Sequence, residues 1–109
     1  MKVEVLYFRG CPNHPVAIER LKQVLEQEQL KADIAELEIR DDVTAQAGGF
    51  LGSPTVRVNG LDVEPSARPV QGFGLSCRTY TGAAGREGAP PIEMICQALR
   101  DALRLTAPS

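Results

Sequence analysis

The sequence predicts an α/β domain built on a four-stranded mixed sheet flanked by helices, in the order β-α-β-α-β-β-α. Three observations carry this. Residues 3–8 alternate as a strand that is apolar on most of both faces. Two segments, ending near residues 30 and 105, carry apolar residues at helical spacing. Between them, Asn59-Gly60 separates two short runs rich in valine, the pattern of a tight hairpin. The 109 residues are one domain's worth of chain, so residues 1–109 are read as a single domain without a linker or internal repeat.

Each element follows from its residues. In the first strand Val3, Val5 and Tyr7 share one face, and Glu4, Leu6 and Phe8 the other. A strand apolar on both sides belongs in the middle of its sheet. The first helix places Ala17, Ile18, Leu21, Val24 and Leu25 on one stripe and ends near Gln29 or Leu30. Its start has two readings: Cys11 caps with Pro12 in the first helical position, or Asn13 caps with Pro15 in the first turn. Residues 32–39 form a second strand. The α crossover between the first two strands makes them parallel. Asp41 or Asp42 caps a short helix over about 43–47, closed by Gly48-Gly49. Residues 55–58 and 61–63 form the hairpin. Pro90-Pro91 precede the last helix, about 92–105, whose stripe buries Ile92, Ile95, Cys96, Leu99, Ala102 and Leu103.

Residues 65–91 differ. Nine of the 27 are glycine or proline, and most of the segment has neither period. It reads as a long loop, and loops of this length in compact domains are usually functional. It carries Cys77, Arg68, Arg78 and Arg86.

Composition narrows the function classes. Hydrophobic residues make up 43% and charged residues 24%, which excludes disorder and collagen. No apolar run approaches the ~20 residues of a membrane span, and the N-terminus lacks a signal-peptide core. Twelve basic against fourteen acidic residues, with no tryptophan, argues against nucleic-acid binding. Three cysteines are too few for a secreted disulfide framework, so a reducing cytoplasm is expected.

The chemistry-bearing segment is strand, then Cys11-Pro12-Asn13-His14, then helix. Thiol exchange needs thiolate, and a helix N-terminus favours one through its free N–H groups and dipole. His14 is the only histidine and stands three residues on, where it can tune or exchange a proton with Cys11. The second feature is Ser53-Pro54-Thr55 at a strand entry. A cis bond there would turn the backbone of Ser53 outward, so that an extended substrate pairs with that edge. The loop arginines, Arg78 among them, can attract an anionic partner.

Together, Cys11-Pro12-Asn13-His14, Ser53-Pro54-Thr55, the Asn59-Gly60 hairpin and the closing helix resemble the thioredoxin superfamily. Cys-Pro at the motif start is similar to glutaredoxins, and Cys77-Arg78-Thr79-Tyr80 to a late segment of small bacterial thioredoxin-like proteins. The resemblance covers about residues 1–64 and 91–105. It implies a thioredoxin-like fold, Cys11 as nucleophilic thiol, Pro54 as a cis-proline facing it, and Ser53, Thr55 and Arg78 toward substrate. His14 departs from the family, standing where dithiol members have their second cysteine. Cys11 then acts alone, or Cys77 resolves its mixed disulfide. The expected activity is thiol–disulfide exchange with a protein or low-molecular-weight disulfide, without a cofactor.

Two other readings remain open on the residues. Cys11, His14 and Cys77 form a soft three-ligand set for zinc, copper(I) or mercury(II). Alternatively the chain is a non-catalytic thioredoxin-like adaptor, as the missing second motif cysteine suggests. Cys96, on its apolar stripe, is expected to be plain core.

Overall fold

A computed structural model describes residues 1–106. It is a small α/β domain with a four-stranded mixed sheet. Strands β1 (Lys2–Tyr7), β2 (Asp33–Glu38), β3 (Thr55–Val58) and β4 (Leu61–Asp62) lie in the order β2-β1-β3-β4. β1 pairs parallel with β2 and antiparallel with β3, and β3 pairs antiparallel with β4. The two-faced strand is therefore internal, as its apolar residues require. Val3 and Val5 are fully buried on one side, and Leu6 is 3% exposed on the other.

Helices α1 (His14–Gln27) and α3 (Ile92–Thr106) cover the face of Val3, Val5, Val56 and Val58. Leu21, Val24, Ile95 and Leu99 complete that core. Helix α2 (Asp42–Gly48) covers the opposite face, where Ala45 and Phe50 join Leu6 and Ile39. Among the described residues, no helix is long and apolar enough to cross a membrane.

Local signals explain the boundaries. α1 starts with Asn13 as cap and Pro15 in its first turn, although the Asn13 side chain makes no capping bond. It stops at Gln27, short of the expected end near Gln29 or Leu30. Gln29 takes φ +54, its N–H reaches Glu26 O, and the Leu30 N–H reaches Leu25 O. This paired closure ends a helix by turning one residue left-handed. Asp41 caps α2 by accepting from the Thr44 N–H at 2.7 Å. Asn59 and Gly60 both adopt positive φ, as the β3–β4 turn demands.

The 65–91 segment is not structureless. A 3₁₀ turn spans Pro65–Ala67, and a separate hairpin pairs β5 (Tyr80–Gly82) with β6 (Gly85–Glu87). Three-residue strands are too short for a period of two to show, which is why the sequence reads as loop. Arg20 of α1 ties the hairpin down. It donates to the carbonyls of Ala89 and Pro90 and pairs with Glu87 at 3.2 Å.

Candidate functional site

The C-terminal end of β1 leads into the turn that carries Cys11. The Phe8 carbonyl accepts the Cys11 N–H at 3.3 Å, and the Cys11 carbonyl accepts the His14 N–H at 3.4 Å. The turn is thus closed on itself before α1 begins. Its supply of donors is thinner than the sequence suggests. Pro15 has no N–H, and that of His14 is spent on Cys11's own carbonyl. Among the described residues, no hydrogen bond reaches Cys11 Sγ. Cys11 is only 6% exposed.

Phe8 also joins this turn to the β3 entry. Its N–H donates to Ser53 Oγ at 3.3 Å. The Ser53–Pro54 bond is cis. The Ser53 edge, however, is not open. The Ser53 N–H donates to the Ser76 carbonyl at 2.8 Å, and the Ser53 carbonyl accepts the Arg78 N–H at 3.0 Å. Ser53 and Cys77 therefore form an isolated parallel bridge. A strap of the chain's own, residues 73–78, occupies the position expected for an extended substrate. Ser53, Pro54 and Thr55 are all buried beneath it and do not meet solvent. Gly52 admits the strap. It holds φ +123, and a Cβ there would come within 3.0 Å of both the Ser76 carbonyl and Arg78 Cβ.

Arg78 fixes the strap from below. The sequence places it in solvent or toward an anionic substrate, but the structure buries it to 6% exposure. Its guanidinium grips Asp62 with two bonds, Nη1 to Oδ2 at 2.7 Å and Nη2 to Oδ1 at 2.8 Å. Nη1 also donates to Thr55 Oγ1, Glu64 lies 3.5 Å away, and Cζ sits 4.2 Å above the Tyr80 ring. Burial works against the Arg78 charge, but Asp62, Tyr80 and Glu64 outweigh it and hold the guanidinium above its ordinary pKa. A substrate anion cannot reach a fork so committed. Tyr80 is fully buried and donates to the Pro54 carbonyl. Burial pushes its phenol well above the ordinary range.

The His14 ring has partners of its own. It stacks on Tyr7 with centroids 3.7 Å apart, and Nε2 meets Glu36 Oε1 at 2.7 Å. Among the described residues no three His, Cys, Asp or Glu side chains could hold a metal ion, so Cys11, His14 and Cys77 do not converge as ligands. The three cysteines are all free: Cys11 buried, Cys77 exposed, Cys96 between. Cys96 is not plain core, since its thiol donates to Glu28 Oε1 at 3.2 Å beside Arg100. Burial pushes the Cys96 thiol pKa up, and the Glu28 hydrogen bond pushes it the same way.

Sequence reasoning passed over Phe8, Asp62 and Ser76. The one signal for Asp62 is a carboxylate inside a short apolar hairpin, which calls for a buried cation. Phe8 and Ser76 act through backbone groups and leave no trace in residue type.

The chain matches no family model, no curated protein and no solved structure.

Proposed function

We propose that this α/β domain is thioredoxin-like and performs thiol–disulfide exchange with Cys11 and Cys77 as its two thiols. One observation carries the reading. The Phe8 backbone bonds Cys11 on one side and Ser53 on the other, and Ser53 is bridged to Cys77. Two free cysteines 66 positions apart in sequence are thereby linked through Phe8, the Ser53 hydroxyl and the backbone on either side of Cys77.

In the exchange, one thiolate attacks a substrate disulfide and expels the first substrate thiolate. The second thiolate attacks the resulting mixed disulfide and expels the other. The substrate gains two electrons, and the protein is left with a Cys11–Cys77 disulfide. Two equivalents of a low-molecular-weight thiol reset it. The link requires Cα atoms within ~7 Å of each other. His14 lies outside this cycle, because Tyr7 and Glu36 engage its ring. The partners are protein or small-molecule disulfides. Because the strap already pairs with Ser53, a substrate approaches without strand pairing at that edge.

The test is oxidation with substoichiometric glutathione disulfide, followed by a peptide map. The expected product joins the Cys11 and Cys77 peptides. A map in which both carry only glutathione would overturn the reading.

A further inference from the structure

The sequence makes Cys11 the attacking thiol, but the structure distributes access the other way. Cys11 is 6% exposed and is itself part of a closed turn. Cys77 is exposed on the outer strand of the bridge. Attack on a disulfide needs the substrate sulfur to approach the thiolate directly, and reactive thiols are partly exposed for that reason. Resolution has no such requirement. The resolving thiol has only to reach the sulfur of a neighbour on its own chain.

We infer, on the basis of the exchange proposed above, that Cys77 attacks the substrate first and the buried Cys11 resolves the mixed disulfide. Three features fit this order. Cys77 is held in place although it is exposed. Its neighbours Ser76 and Arg78 are bonded to Ser53, and the Arg78 side chain is locked on Asp62. Residues paired across a ladder share a face, so position 77 projects on the side of Ser53, whose Oγ meets Phe8 at the start of the Cys11 turn. Among the described residues no hydrogen bond reaches either sulfur, so access is what separates the two thiols, and access favours Cys77.

The step balances. Cys77 thiolate attacks R–S–S–R′, forming Cys77–S–S–R and releasing R′S⁻. Cys11 thiolate then attacks the Cys77 sulfur, forming the Cys11–Cys77 disulfide and releasing RS⁻. The protons shed by the two cysteines are taken up by the two departing thiolates.

The experiment uses the full chain and the aromatic disulfide DTNB, following thionitrobenzoate release and the mass of the adduct. Wild type releases a fast first equivalent and then a second as the internal disulfide closes. Cys11→Ser keeps the fast first phase and stops at a stable Cys77 adduct. Cys77→Ser slows the first phase at least tenfold. The opposite pattern, with Cys77→Ser fast and Cys11→Ser slow, overturns the order while leaving the exchange intact. Adducts on both cysteines of wild type without an internal disulfide overturn the exchange and the order together. Serine closely matches cysteine in size, and slow labelling of Cys96 in every variant confirms that the fold is retained.

Discussion

Two cysteine neighbourhoods at different places in the fold use the same side-chain types to opposite ends. Beside Cys77, Arg78 and Asp62 form an ion pair at 5% and 7% side-chain exposure. Beside Cys96, Arg100 and Glu28 form one at 59% and 25%. The buried pair secures a strap of backbone across the sheet end and leaves the adjacent thiol in solvent. The exposed pair lies against the surface where α1 ends, and there burial first and the Glu28 carboxylate second push the adjacent thiol's pKa up, while Arg100 acts the other way. Burial, rather than residue type, sets what each pair is worth. In the interior a lone charge has no water to turn to, whereas at the surface solvent replaces a lost partner at little cost.

The largest difference between the two pairs is expected at Asp62. Asp62→Ala strands a buried guanidinium and is expected to cost about 3–5 kcal/mol in urea unfolding. An unchanged midpoint would mean the pair contributes no more than its exposed counterpart. Alkaline titration sharpens the contrast next. The Tyr80 phenol has a raised pKa in the fold, so its contribution to stability is complete below the ordinary value near pH 10. Above that the unfolded chain ionises while the folded one does not, and stability falls by about 1.4 kcal/mol per pH unit at most. Tyr80→Phe flattens that slope. The smallest effect belongs to the exposed pair. Glu28→Gln leaves the unfolding midpoint in place. It removes an anion that raises the Cys96 pKa, so iodoacetamide labels Cys96 a few-fold faster near pH 8. No change in labelling would show that burial alone silences Cys96.

Much of the fold was legible in local pattern. The two-faced apolarity of residues 3–8 marked the central strand. Asn59-Gly60 marked the hairpin through its need for positive φ, and Asp41 marked the start of α2 through its carboxylate. The candidate site was legible only in part. Cys11 before a helix and Ser53-Pro54 before a strand were visible as sequence signals. The strap that covers Ser53 was not, because Ser53, Ser76 and Arg78 meet through main-chain groups that every residue possesses. Helical spacing put Cys96 on the side that packs against the core, where it is half-buried, but did not show how close Glu28 comes to it.

The kind and order of the main elements, and the inner place of the first strand, follow from the residues alone. Those choices depend on neighbours a few residues away, where turn chemistry and the periods of side-chain direction act. The burial of Arg78, the cover the chain lays over its own sheet edge and the exposure of Cys77 arise in the folded chain. Those outcomes rest on pairings between residues far apart in the chain. Burial and partner together set the chemistry there, and neither is written in any single stretch of residues.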